Sequence, residues 1–440
     1  MHDFKSINIA FKMSFGRYCS NQPFVKLLKP TICFACKSYI CQIMNNKRYF
    51  LLILILGSLT ALAPFSIDMY LPGFPAIAKD LNTTVSKVAL SLSSFFIGIS
   101  AGQLLYGPLL DRFGRKKPLY FGLVIYIIAS AGCALATSID ALIALRFIQA
   151  LGSCAATVAA VAMVRDLFPI KDSAKVFAML MLVLGVSPMI APTLGGYVTS
   201  HLGWHTIFII LLGIGVFNLI ASFLWLPEVY KPDTTMSLKP KPIISNFLLV
   251  MREPQFYTYA LTGALAFAGL FVYISGSPLL FMDIFKVNEE TYGWIFALLS
   301  VGFIGSSQVN TLLLKRFKSE QIIFFAMLAQ VITIIFFLIG GINGWFGLYT
   351  TIFLLFKFLC CLGFVSPNAS ALTLAPFTKN AGSAAALMGA IQMGLGALAS
   401  VGIGLFDAKS VVPMLVIMAA CSVLAFLVLT IGRRTIRTNY

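Results

Sequence analysis

The sequence predicts an all-α integral membrane protein, with about twelve transmembrane helices in two six-helix bundles. Three observations predict it. Of the 440 residues, 59% are hydrophobic and only 11% charged, too few charges to cover a soluble protein of this size. The apolar residues fall into about twelve runs of about twenty, the length a helix needs to cross a bilayer. Lys and Arg crowd into alternate loops between those runs, which marks the cytoplasmic side.

The runs are expected at roughly 49–71, 88–110, 119–137, 140–164, 173–198 and 204–226, then 256–280, 291–313, 321–341, 345–369, 382–405 and 411–431. If the first run enters from the cytoplasm, that side receives Lys47 and Arg48, the cluster Arg112, Arg115, Lys116 and Lys117, and the basic residues of every second loop to the Arg433-Arg434 tail. The opposite side receives Lys79, Lys87, Lys286 and Lys409. Both termini are therefore expected in the cytoplasm, and the net charge of +17 is an orientation signal rather than a nucleic-acid footprint.

The longest polar connection, Pro227 to Pro254, carries a Lys-Pro-Lys-Pro run and divides the spans six and six. The expected domains are a first bundle over 44–226, a cytoplasmic linker over 227–255, a second bundle over 256–431 and a cytoplasmic tail over 432–440. Leu109-Leu110-Asp111-Arg112-Phe113 after the second span is echoed by Leu313-Leu314-Lys315-Arg316-Phe317 after the eighth. Two halves with weak internal symmetry suit a rocking carrier whose site lies between them. Residues 1–43, basic but without a spanning run, read as a disordered or non-native extension. Its Cys33-Phe34-Ala35-Cys36 lacks the second pair a zinc site needs, so no metal is expected.

Ionisable side chains inside a span are expensive and mark function by default. The candidates are Asp68 in the first span, Arg146 in the fourth and Lys357 in the tenth. Asp68 and Arg146 sit at comparable depth and are expected to face one cavity, with Gln149 nearly one turn beyond Arg146 on the same face. The fifth span contains Gly185, Pro188, Pro192, Gly195 and Gly196, a spacing that predicts a bend or hinge. No G-x-x-x-x-G-K-[ST] loop and no G-x-S-x-G elbow occurs, so neither ATP hydrolysis nor an enzyme activity is expected, and no cofactor. His201 and His205 read as interfacial residues.

These residues resemble the major facilitator superfamily, specifically its twelve-span drug:proton antiporters. Gly107-Pro108-Leu109-Leu110-Asp111-Arg112-Phe113-Gly114-Arg115-Lys116-Lys117 is similar to the G-x-x-x-D-R-x-G-R-R/K loop between spans two and three. Arg146-Phe147-Ile148-Gln149-Ala150-Leu151-Gly152 resembles the fourth-span R-x-x-Q-G-x-G, with Ala150 for its first Gly, and the fifth-span run resembles the antiporter motif ending G-P-x-x-G-G, with Ala191 for a Gly. Ser66-Ile67-Asp68-Met69-Tyr70-Leu71-Pro72, Ser366-Pro367-Asn368-Ala369 and Gly382-Ser383-Ala384-Ala385-Ala386-Leu387 are similar to the bicyclomycin-resistance (Bcr/CflA) branch.

The resemblance implies proton-driven efflux of drugs or small amphipathic compounds by alternating access. A proton-coupled carrier of a small metabolite is the alternative, and a channel or membrane sensor a more distant one. It also implies roles. Asp68, Arg146 and Gln149 would serve proton coupling and the substrate cavity, with Thr60 near the place where related antiporters carry another acid. Gly107, Asp111, Arg112, Gly114 and Arg115 would form a conformational latch, Asp111 capping a helix of the other half and Arg115 pairing with Asp166. Lys357, Pro367 and Asn368 are the second-half cavity candidates. The partners implied are a small-molecule drug or metabolite, protons and the lipid bilayer, for a chain acting as a monomer.

Overall fold

The computed structural model describes residues 30–168, 170–228, 232, 247–377, 381–405 and 410–438, with backbone alone at 30–48, 170–175, 178, 381–382 and 437–438. The chain divides after Leu54 into two compact units. The first is described only as the start of a helix, and the packing and contacts below concern Ile55 onward. Among the described residues, twelve helices are long and apolar enough to cross a membrane. They are α1 (Pro30–Asp68), α2 (Val85–Phe113), α3 (Lys116–Ala134), α4 (Ile139–Leu167), α5 (Ile170–Leu202), α6 (Trp204–Trp225), α7 (Pro254–Pro278), α8 (Glu289–Leu313), α9 (Ser319–Ile342), α10 (Leu348–Leu374), α11 (Ala381–Leu405) and α12 (Val412–Thr438). No strand occurs among the described residues.

The apolar span expected from residue 49 begins at Tyr49, and the helix that carries it, α1, is continuous back to Pro30. The reason is local: from Thr31 to Leu56 there is no Gly or Pro to break it, and Pro30 supplies a ready first position. Residues 1–29 lie outside the described residues, as does most of the 227–255 linker, of which 247–251 are helical.

Capping residues fix where several spans begin. Thr84 accepts the Lys87 N–H at 3.3 Å ahead of α2, and Ser138 accepts the Ala141 N–H at 3.3 Å ahead of α4. Asn288 accepts the Thr291 N–H at 2.8 Å ahead of α8, whose first turn carries Glu289 and Glu290 toward the positive end of its dipole. After α1 the chain makes one 3₁₀ turn (Leu71–Gly73) and a short helix (Phe74–Asp80) before α2.

Inside the first half α4 packs on α2 and α3. Its contact with α3 depends on Gly152, where any Cβ would lie 2.6 Å from the Gly122 carbonyl oxygen. In the second half α7, α9, α10 and α12 share a core of Tyr259, Ala266, Met327, Leu362, Val365 and Leu429. The halves meet along two seams, α2 on α11 and α5 on α8. Phe121 and Ile128 of α3, Phe223 of α6 and Phe325 of α9 stand exposed, an apolar belt suited to lipid rather than water.

Candidate functional site

Arg146 is fully buried in the first half, and its surroundings explain how. Because α1 ends at Asp68, the carbonyl of Ser66 has no partner within its helix. Arg146 Nη2 donates to that carbonyl at 2.8 Å and Nη1 donates to Gln149 Oε1 at 2.6 Å. Gln149 Nε2 donates in turn to Ser130 Oγ at 2.8 Å. The guanidinium carbon lies 4.6 Å from the Tyr70 ring centre and 4.2 Å from that of Phe95. Ser66 Oγ meets the Tyr126 hydroxyl at 2.7 Å, so α1, α3 and α4 are tied by one polar network. Nε of Arg146 has no partner among the described residues.

Asp68 is not part of that network. Consecutive helical residues are about 100° apart, so Asp68 stands about 200° round the helix from Ser66 and points away from Arg146. The expectation that Asp68 and Arg146 face one cavity is corrected accordingly: similar depth did not imply a shared face. Asp68 is 4% exposed and has no hydrogen bond or ion pair among the described residues. Its electrostatic neighbours belong to the second half, Tyr273 of α7 and Tyr292 of α8. The 3₁₀ turn that follows it packs against α5, α7 and α8.

At this end of the bundle, opposite the 107–117 loop, the halves are closed tightly. A Cβ on Gly196 of α5 would run into the Glu289 carbonyl of α8, and one on Gly293 would lie 2.8 Å from Thr193 Cα. Gly195 approaches the Met69 carbonyl in the same way within the first half. α5 runs unbroken through Pro188 and Pro192, so the expected hinge is not a break in the helix. Pro192 has no N–H for the Pro188 carbonyl, which lies 3.4 Å from Ser300 Oγ of α8, a hydroxyl that also reaches the Phe296 carbonyl at 2.8 Å. On the other seam, Ser400 Oγ of α11 meets Ser93 of α2 at 2.7 Å and Ser275 of α7 at 2.5 Å. Further toward the loop, Gly185 still faces Ile304, but Met181 and Leu182 of α5 and Val309 and Leu312 of α8 are exposed.

The 107–117 loop is a charge-clamped turn. Arg115 Nη1 donates to Asp111 Oδ1 at 2.6 Å and Nε donates to Asp166 Oδ2 at 2.7 Å, joining the ends of α2 and α4. Burial alone would lower the Arg115 pKa, but the two carboxylates hold it above its ordinary value. Gly114 has φ 85°, which favours glycine. Glu228, just past α6, caps α3 by accepting the N–H groups of Arg115 at 3.1 Å and Lys116 at 3.3 Å. Arg112 stacks 5.7 Å from the Phe113 ring, and Gly107 has open space beside it. Among the described residues, Asp111 caps no helix of the second half.

The second-half candidates do not converge on Asp68. Asn368 is buried within its own half, donating to Asn310 Oδ1 at 2.7 Å and to the Phe364 carbonyl at 2.8 Å, just after Pro367 inside α10. Lys357 is exposed, on a face shared with Phe353, and makes no ion pair among the described residues. Yet Lys357-Phe358-Leu359-Cys360-Cys361-Leu362-Gly363 repeats the pattern of Arg146-Phe147-Ile148-Gln149-Ala150-Leu151-Gly152, so Lys357 is its counterpart by internal symmetry. Sequence reasoning missed Glu228, Tyr273 and Tyr292. For Glu228 a signal existed, a lone acid directly after a span; the two tyrosines carry none beyond sitting in apolar runs.

Comparison with known proteins agrees with this architecture. Residues 56–403 match the family model described as the Major Facilitator Superfamily. The chain is 30% identical to the Bicyclomycin resistance protein homolog of Haemophilus influenzae, over 88% of this chain and 98% of that one. It is also 30% identical to the Multidrug resistance protein MdtL of Escherichia coli, over 84% of this chain and 93% of that one. Among solved structures, that of a D-xylose-proton symporter shares the fold with a TM-score of 0.69 at 14% identity, over 87% of this chain and 97% of that one.

Proposed function

Because this chain belongs to the Major Facilitator Superfamily of membrane carriers, we propose a specific task for it: proton-driven export of drugs or small amphipathic compounds across the bacterial inner membrane. The observation that carries this reading is Asp68, a carboxylate buried without a cation where the two halves close. An isolated charge there costs on the order of several kcal/mol, so the closed arrangement favours the neutral acid. Opening that end would expose Asp68 to outside water, where it takes up a proton that closing then carries inward. A group whose proton affinity changes with conformation is what exchange of a proton for a substrate requires. The names of the relatives, resistance proteins for bicyclomycin and for multiple drugs, support export of such compounds.

In this reading the loop end faces the cytoplasm together with both termini, following the distribution of Lys and Arg. The tight seam at Gly196 and Gly293 is then the outer seal, and the exposed α5 and α8 residues toward the loop belong to an inward-facing state. Arg146 holds the end of α1 rather than handling the proton itself. The Asp111–Arg115–Asp166 clamp stiffens the inner rim. Asp111 is partly exposed, so Asp111→Asn is expected to change labelling of cysteines engineered at the outer end by no more than about five-fold, the equivalent of about 1 kcal/mol. Unchanged labelling removes the clamp from the conformational mechanism.

The function is tested with a strain lacking its own exporters, carrying this chain, and a drug panel with bicyclomycin first. Raised tolerance to at least one compound, lost when the proton gradient is collapsed, is the expected result. No protection against any compound, with the protein present in the membrane, would favour a metabolite carrier.

A further inference from the structure

Among the described residues Asp68 is the one buried carboxylate, and it stands at the closed outer end. The other acids of the described helices lie in first or last turns, at the rims of the bundle. The cations are equally withdrawn. Arg146 is fully buried, its guanidinium committed to Ser66 and Gln149. Lys357 lies nine residues before Ser366 on α10, which at about 100° per residue puts the two on opposite faces. Ser366 belongs to a cleft toward the loop end, lined by Gly263 of α7, Ser366, Ser370 and Thr373 of α10, and Met388 and Gln392 of α11. Ser366, Ser370 and Gln392 are half-buried, and their side chains make no hydrogen bond among the described residues. The cleft adjoins the first half. Ser100 Oγ of α2 donates to the Ala390 carbonyl at 3.0 Å, and a Cβ on Gly389 would run into Gln103 Oε1.

We propose that this cleft is a substrate subsite for uncharged compounds carrying carbonyl, amide or hydroxyl groups on an apolar body, and that it turns away lipophilic cations. The inference rests on the reading of the chain as an exporter and names the class of compound it takes. A cation leaving water for a low-dielectric interior needs a carboxylate facing it, and an anion needs a cation. The cleft offers neither, since Asp68 lies at the closed outer end and Lys357 stands on the far face of α10. What it offers is neutral: two hydroxyls one turn apart on α10 and an amide from α11, each able to donate and to accept. Met388 and Gly263 give the same cleft an apolar side. A compound whose polar groups meet these partners exchanges its bonds to water for bonds to protein, whereas a charge is left unpaired.

The test sets uncharged compounds, bicyclomycin among them, beside the lipophilic cations tetraphenylphosphonium and ethidium, in the exporter-deficient strain carrying this chain. Raised tolerance is expected for uncharged compounds and none for either cation. The residues are then tested in inverted membrane vesicles, where uptake of an exported compound is compared at equal amounts of protein. Gln392→Ala and Ser366→Ala are each expected to raise KM by about three- to ten-fold, the worth of one hydrogen bond, with kcat and the protons moved per molecule unchanged. Cations exported as readily as uncharged compounds would overturn this inference while leaving export standing. An unmoved KM in both variants would do the same. No protection against any compound overturns the export reading and this inference with it.

Discussion

Asp68→Asn is expected to reduce substrate-driven proton movement to background while leaving the amount of protein in the membrane unchanged. Asn has nearly the shape of the neutral acid, and Asp68 makes no ion pair among the described residues that the change would break. The outer end should therefore still close. Exchange of labelled for unlabelled substrate across the membrane is expected to survive, because it needs the halves to rock but no proton to be released. A variant that still moves protons at the wild-type rate would show that another group carries them. A variant that disappears from the membrane would assign Asp68 a folding role, and Asp68→Glu would then be required to retain coupling.

Gly196→Ala is expected to stop transport by the opposite route. The added methyl would meet the Glu289 carbonyl, a backbone atom at the start of α8 that cannot swing aside. Overpacking of this kind costs about 1–3 kcal/mol. Applied only to the closed outer end, that is a shift of about five- to 150-fold toward an outward-open form. Gly293→Ala, whose Cβ would lie 2.8 Å from Thr193 Cα, is expected to act in the same sense from the other side of the seam. Cysteines placed near Asp68 should then label faster from outside in both variants, without loss of thermal stability within each half. Labelling as slow as in the parent would mean that this seam is not what closes the outer end.

The spans were legible because lipid demands uninterrupted apolar length, and Gly, Pro and charge punctuate the loops. The first span was read from residue 49, where it begins, but the continuation of its helix back to Pro30 was not, although no Gly or Pro interrupts that stretch. Arg146 reaches the carbonyl of Ser66, two residues before Asp68. Azimuth decided the rest. Two residues separate Ser66 from Asp68, which sends one toward Arg146 and the other toward the second half. Arg115 and Asp166 were paired through the family resemblance, and they stand 2.7 Å apart.

The most direct measurement places purified protein in liposomes with a pH-sensitive dye inside and a transported compound added outside. Movement of the compound is expected to drive protons the opposite way in fixed proportion, and Asp68→Asn to uncouple the two. Full transport with no accompanying proton movement in the wild-type protein would overturn the assignment of Asp68 as the acid that links the closing of the halves to the proton.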